Sequence, residues 1–371
     1  MRSINWKIFI LSLVAQFIIT FLINLGIRAP KQLEALNLSN AKVQPAEIAA
    51  PILPKIEEVF APQVHVPDIF EQIKVKLEEK KNDFELKKHG SLIEPIYAGA
   101  VYDQANGYIV IDYETGEILA ERNAESRIPI ASLTKIMTAV VALDLAAPEE
   151  VFAVTEKAAR MIPTKIGVVA GQRMNLGELL NASLLTSAND AIEVIKQGID
   201  LKYGKPGVFI NSMNAKAESL GLKNTHFENP QGFDGEAQYS SAADLAVLTR
   251  YALEKYTVIK EIVKKDYEFL PANENHKQFD LYNWNGLLGV YPGVQGVKIG
   301  NTGKAGYTTV VVSEREGKKV LVVLLGAPGV LERDLWAGQL LDLGFEKLGI
   351  LPVGVAEGEL RAKYSTWKYW S

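Results

Sequence analysis

Four stretches of different hydrophobic pattern succeed one another along the chain. Ile8 to Ile27 is a run of 20 uncharged, mostly apolar residues, flanked by Arg2 and Lys7 on one side and Arg28 on the other. A spanning helix needs about 20 such residues and a secretory signal core about 7–15. The length favours an uncleaved membrane anchor over a cleaved signal peptide, and residues 1–29 are read so. Residues 30–95 are a linker. Pro30, Pro45, Pro51, Pro54, Pro62 and Pro67 lie among Ala, Glu, Gln and Lys, a composition of extended spacers. A charged helix is predicted over Asp68–Lys88, with Ile69, Ile73 and Leu77 on one face and Gly90 to end it.

Period-two alternation starts near Gly107. Tyr108–Asp112 and Ile118–Glu121 flank Glu114-Thr115-Gly116 and predict a hairpin. A helical run with Leu133, Ile136, Met137, Val140 and Val141 follows Pro129. Asn175-Leu176-Gly177-Glu178 has the spacing of a capping box that opens a helix reaching Leu185. Tyr307–Val312 and Lys319–Leu325 predict a second hairpin, and Leu331–Leu348 a closing helix. Strands come first and last with helices between. That order implies an α+β domain over residues 96–350, with an antiparallel sheet built from both chain ends and a helical insertion. The tail, residues 351–371, carries Tyr364, Trp367, Tyr369 and Trp370 with Arg361, Lys363 and Lys368. A membrane interface and packing on the preceding domain both fit it.

Composition narrows the chemistry. Net charge is −4, so no basic excess points to nucleic acid. Absence of cysteine removes disulfides and thiolate metal sites. The four histidines, His65, His89, His226 and His276, lack metal-ligand spacing, and neither a metal nor a cofactor is expected.

Three short patterns remain: Ser132-Leu133-Thr134-Lys135, Ser187-Ala188-Asn189 and Lys298-Ile299-Gly300. Each alone is weak. S-x-x-K recurs at Ser39–Lys42 and Ser365–Lys368, S-x-N at Ser212–Asn214, and K-I-G at Lys165–Gly167. Only the first three stand in order within the predicted domain. A serine at a helix start faces free N–H groups that favour developing negative charge. A lysine three residues later shares its face. That lysine can act as a base once burial and a second cation, here Lys298, lower its pKa.

The context of these patterns resembles the D-alanyl-D-alanine carboxypeptidases, the low-molecular-weight penicillin-binding proteins. Pro129-Ile130-Ala131-Ser132-Leu133-Thr134-Lys135-Ile136-Met137-Thr138-Ala139 is similar to that family's nucleophile segment. Thr186-Ser187-Ala188-Asn189-Asp190-Ala191 resembles its second motif, and Thr225-His226-Phe227-Glu228-Asn229-Pro230-Gln231-Gly232-Phe233-Asp234 its T-x-F-x-N-P-x-G-L-D stretch. Gly296-Val297-Lys298-Ile299-Gly300-Asn301-Thr302 resembles G-x-K-T-G-x-T. The resemblance implies a β-lactamase/transpeptidase-like fold with a helical subdomain. It further implies an extracytoplasmic enzyme acting on peptidoglycan stem peptides, with β-lactams as covalent inhibitors. Ser132 would attack, Lys135 take its proton and Ser187 relay a proton to the leaving amine. Asn189, Lys298, Gly300 and Asn301 would bind substrate, with the Ser132 and Asn301 N–H groups as oxyanion donors.

One position departs from the pattern. Ile299 stands where the family has threonine, whose hydroxyl helps bind the terminal carboxylate. A hydrogen bond to a charged group contributes about 1.5–3 kcal/mol. Its loss leaves an endopeptidase of cross-links and a wall-binding homologue as alternatives; the shared motifs leave a third, a β-lactamase of the same fold, for which Glu228 lies in the right region but lacks E-x-x-x-N spacing. Oligomeric state is not legible in the sequence.

Overall fold

The computed structural model describes residues 69–77, 83–88 and 100–368, all within the compact unit His65–Ser371. The expected anchor, the proline-rich linker, the Ser39 pattern, Tyr369 and Trp370 lie outside the described residues. Among the described residues no helix is long and apolar enough to cross a membrane.

Helix α1 (Ile69–Leu77) buries Ile73 and Leu77 in the main core. It is shorter than its charge pattern suggests, because residues 83–88 are not helical. There the backbone pairs with the first hairpin instead: Lys87 N–H donates to Gly116 O at 2.9 Å, and Ile118 N–H donates to Lys87 O at 3.0 Å. Phe84 and Leu86 pack against the core beside it. Tertiary pairing overrides helix propensity here.

Strands β1 (Gly107–Asp112) and β2 (Ile118–Arg122) form the first hairpin, and its turn is held by the Asp112 carboxylate, which accepts from the N–H groups of Glu114 and Thr115. A 3-10 turn, Ala131–Leu133, then leads into α2 (Thr134–Leu145). The helical part continues through β3 (Val151–Ala153), α3 (Glu156–Ala159), β4 (Arg173–Asn175), α4 (Leu176–Leu185), α5 (Asn189–Lys202), α6 (Val208–Ser219), α7 (Ala242–Lys255) and α8 (Thr257–Val263). Next come the small hairpin of β5 (Tyr267–Leu270) and β6 (Phe279–Tyr282), then β7 (Val294–Thr302), β8 (Gly306–Arg315) and β9 (Lys318–Ala327). Helices α9 (Val330–Lys347) and α10 (Glu357–Ser365) close the described chain.

The main sheet has the order β2-β1-β9-β8-β7, antiparallel throughout. It joins both ends of the domain, with the helical part inserted between them. The central strands are buried on both faces. In β9, Leu321, Val323 and Leu325 join the core shared with the helical part, whereas Val320, Val322 and Leu324 join the core under α9. Such strands read as continuous apolar runs rather than as alternation. Helix α2 is buried nearly all round, in contact with α4, α5, α6 and α7. An amphipathic stripe is therefore absent from it, as expected for a central helix.

The capping box appears as the spacing implies. Asn175 Oδ1 accepts from Glu178 N at 2.9 Å, and Glu178 Oε2 accepts from Asn175 N at 2.8 Å. The tail packs on the domain: Leu360 of α10 is fully buried, and Tyr364 donates its hydroxyl hydrogen to Asp334 Oδ2 at 2.8 Å.

Candidate active site

Ser132 lies in the 3-10 turn before α2, and two glycines clamp that turn. A Cβ on Gly232, whose φ is +91°, would overlap the Ala131 carbonyl oxygen. A Cβ on Gly300 of β7 would come within 2.7 Å of Ser132 N and 3.1 Å of Ala131 Cβ. Ala131 itself holds φ +50°, and Ser187 holds φ +58°. Non-glycine residues in this left-handed region carry roughly 1–3 kcal/mol of strain each, which packing must offset. Both flank the site. Hydroxyls brace the turn from below. Thr134 Oγ1 donates to Ala131 O at 2.9 Å, and Thr138 Oγ1 donates to Pro230 O at 2.7 Å.

Lys135 follows on the same face of α2 and is fully buried. Its Nζ has three partners: Ser132 Oγ at 2.8 Å, Asn189 Oδ1 at 2.9 Å and Gln231 O at 2.7 Å. Burial, and then the positive charge of Lys298, hold its pKa well below the ordinary lysine value. A neutral amine has two hydrogens and one lone pair. The two carbonyl-type oxygens can only accept. They take both hydrogens, which leaves the lone pair for the Ser132 hydroxyl to donate into. Burial and the charge of Lys298 favour the deprotonated lysine, and in that form the two carbonyl-type oxygens leave its lone pair to face the serine.

Asn189 opens α5, and the helix also anchors the neighbouring loop. Asn189 N donates to Thr164 O at 2.7 Å, and the Asp190 carboxylate accepts from the N–H groups of Ile166, Gly167 and Val168. The second K-I-G, Lys165–Gly167, is therefore a loop tied to α5. The second S-x-N, on α6, is structural: Asn214 bonds both backbone polar groups of Phe227.

Lys298 is buried on β7, the edge strand, and its Nζ donates to Ile299 O at 3.1 Å. Burial, and secondarily Arg333, lower its pKa to about 7. Ser187 Oγ has no hydrogen-bond partner among the described residues. Neither Ser187 nor Lys298 is hydrogen-bonded to the Ser132–Lys135 pair; Lys298 acts on Lys135 through its charge. Asn301 pairs with Tyr307 across the β7–β8 hairpin and is exposed.

Three contributors were not singled out in the sequence. Gln231 supplies the carbonyl for Lys135, and its side chain donates to the buried Glu193 at 2.9 Å. Asp234 accepts from Thr302 Oγ1 at 2.6 Å and from Lys304 N at 3.1 Å, fixing the end of β7. Both belong to the T-x-F-x-N-P stretch, so a signal existed. Arg333 on α9 gave none. It is fully buried, forks onto Asp334 through Nε and Nη2 at 2.8 Å each, and leaves Nη1 without a partner among the described residues. Glu228, the alternative deacylating base, has its carboxylate against Gly235, and the partners of Lys135 Nζ include no carboxylate. Among the described residues no group of three or more His, Cys, Asp or Glu side chains could hold a metal ion.

Comparison with known proteins gives the family. The family profile described as D-alanyl-D-alanine carboxypeptidase matches residues 98–329. The D-alanyl-D-alanine carboxypeptidase DacF of Bacillus subtilis is 33% identical over 255 residues, 67% of this chain and 64% of that protein. DacA of Escherichia coli K12 is 32% identical over 280 residues, 71% of this chain and 66% of that protein. The chain thus spans about two thirds of the length of these curated relatives. Among solved structures, the Streptomyces K15 DD-transpeptidase superposes with a TM-score of 0.61 at 27% identity, covering 65% of this chain and 97% of that one. DacD from Francisella tularensis gives 0.59 at 25% identity, covering 69% and 73%.

The clamp on the nucleophile is testable. Gly300→Ala forces the Ser132 turn to move, so acylation by a fluorescent penicillin should slow at least about tenfold, the loss expected from a misplacement of about 1 Å or less. Far-ultraviolet circular dichroism should stay unchanged. Wild-type labelling rates would show that the close approach is not functional.

Proposed function

Because the chain belongs to the D-alanyl-D-alanine carboxypeptidase family, we propose that it is a serine peptidase that removes terminal D-alanine from peptidoglycan stem peptides. The observation that carries this reading is the fully buried Lys135 amine, whose Nζ lies 2.8 Å from Ser132 Oγ, 2.9 Å from Asn189 Oδ1 and 2.7 Å from Gln231 O.

Ser132 Oγ attacks the carbonyl carbon of the penultimate D-alanine while its proton passes to Lys135 Nζ. The oxyanion is met by the N–H groups of Ser132 and Asn301, each such donor worth roughly 2.7–4 kcal/mol in other hydrolases. The proton now on Lys135 passes to Ser187 Oγ as Ser187 hands its own to the leaving nitrogen, the C–N bond breaks, and D-alanine departs, which leaves Lys135 neutral again. Water then attacks the ester carbonyl as its proton passes to Lys135, the C–Oγ bond breaks, and Lys135 returns that proton to Ser132 Oγ, leaving a free peptide carboxylate. Lys298 and the unpartnered Nη1 of Arg333 provide the positive field for the substrate's terminal carboxylate. Asn189 holds the substrate amide, and Gly300 leaves room for it. A β-lactam presents its ring amide to the same serine. The apolar segment 8–27 would hold the enzyme in the membrane with the catalytic domain outside the cytoplasm.

Incubation with a defined pentapeptide should yield the tetrapeptide and D-alanine by mass, and a fluorescent penicillin should label the wild type but not Ser132→Ala. A folded wild type that takes no label overturns the catalytic reading.

Lys298 sets a pH dependence. Its pKa of about 7 means that rising pH removes the charge that attracts the terminal carboxylate. Above about pH 7, kcat/KM for the free-acid pentapeptide should fall by up to about tenfold per pH unit, whereas β-lactam acylation by an uncharged ester of the drug should not follow that limb. A flat profile for both would remove Lys298 from this role.

Ile299→Thr should restore a hydrogen bond worth about 1.5–3 kcal/mol, raising kcat/KM for the pentapeptide roughly tenfold or more. An unaltered rate would show that Ile299 does not limit carboxylate binding.

A further inference from the structure

The two carbonyl-type oxygens that face Lys135 come from different parts of the chain and are held differently. Asn189 Oδ1 belongs to the first turn of α5, a helix of 14 residues. The Gln231 carbonyl lies in a stretch outside any helix or strand. Pro230 before it has no N–H to donate, and Gly232 after it holds φ +91°. Side chains hold this stretch in place of a ladder. Asn229 Oδ1 accepts from the N–H groups of Gly232 and Phe233, and Thr138 Oγ1 donates to Pro230 O. The third tether is the side chain of Gln231 itself, which is buried and donates through Nε2 to Glu193 Oε2 at 2.9 Å.

Glu193 is also buried, and its other oxygen is engaged as well. Oε1 accepts from Gln197 Nε2 at 2.8 Å and pairs with Lys157 Nζ, on α3, at 2.6 Å. A carboxylate has lone pairs for all three donors and holds each more firmly than a neutral amide oxygen would. Asn189, Glu193 and Gln197 are spaced by four residues and share one face of α5. Asn189 meets Lys135 directly, and Glu193, one turn along, meets it through Gln231. One helix face thus sets both acceptors, and the angle between them decides where the lone pair of the amine points.

We propose that Glu193 is a positioning residue for acyl transfer: by holding the Gln231 side chain it aims the Gln231 carbonyl, and through it the Lys135 lone pair, at Ser132 Oγ. The inference rests on the acyl-transfer reading above and adds a residue that none of the three short sequence patterns contains. Glu193 touches neither the substrate nor the reacting atoms. Loss of its tether slows proton transfer from Ser132, while the groups assigned to substrate binding keep their places.

Acylation by a fluorescent penicillin separates these two quantities, since its rate at saturation reports attack and its half-saturating concentration reports binding. In the full chain, Glu193→Leu removes the acceptor, and Gln231→Met removes the donor while keeping the backbone carbonyl. Each should lower the saturating rate about tenfold, the loss expected from a misplacement of about 1 Å or less, with half-saturation unchanged. The double variant exchanges a buried polar pair for an apolar one of similar size, so it should unfold near the wild-type temperature and carries the test if a single variant fails to fold. It should acylate about tenfold slower than wild type and no slower than either single variant, because both remove one interaction. Glu193→Gln keeps an oxygen for Gln231 Nε2 and should recover most of the rate. A folded double variant with the wild-type rate, losses that multiply in the double variant, a loss seen in half-saturation instead of rate, or Glu193→Gln as slow as Glu193→Leu overturns the proposal. The wild type reports separately on the acyl-transfer reading: if it labels and the variants match it, only the positioning role is lost, and if it takes no label the chemistry is lost.

Discussion

The deprotonated Lys135 amine is the constraint around which the rest is organised. A lysine in water is protonated at neutral pH and cannot take a proton from serine. Full burial disfavours the charged form, and Lys298 adds repulsion to the same end. Two partners then decide orientation: the Asn189 amide oxygen at the start of α5 and the Gln231 carbonyl. Behind Gln231 stands Glu193, one turn along α5 from Asn189, and Glu193 is itself ion-paired to Lys157 at 2.6 Å. Three elements distant in sequence converge on one nitrogen. Each has a purpose in the fold that is hard to state without that atom.

The same economy explains where backbone strain sits. Ala131 and Ser187 both adopt left-handed conformations that their side chains disfavour. Each precedes a helix whose first residues meet at Lys135. Tight approach of Gly232 and Gly300 leaves the nucleophile turn no slack. Asn123 and Glu316 hold the same conformation in surface turns, but at Ala131 and Ser187 it sits beside the reacting groups, where it fits a pre-organised site.

Much of this was legible in the sequence, and for identifiable reasons. Both hairpins, the capping box at Asn175 and the closing helix depend on local spacing, and local spacing survives folding. Ser132, Lys135, Ser187, Asn189 and Lys298 stood out because each pattern constrained the others. The charged stretch after α1 misled, because backbone pairing of Lys87 with the first hairpin is a long-range event that no periodicity announces. Arg333 was invisible for a related reason. Its approach to Lys298 depends on how α9 crosses the sheet. Gln231 was inside a quoted motif, but its contribution is a carbonyl oxygen, which every residue possesses.

The order of strands carries one more implication. Ser132 and Lys135 are made early, whereas β7, with Lys298 and Gly300, is made late, and the sheet closes only when β9 pairs with β1. A chain lengthening from its N-terminus therefore holds a serine and a lysine with no glycine clamp above them and no second cation beside them. Strand order therefore couples the two halves of the site: the second cation and the glycine that abuts Ser132 reach the serine–lysine pair only with β7, through the same sheet that joins both ends of the domain.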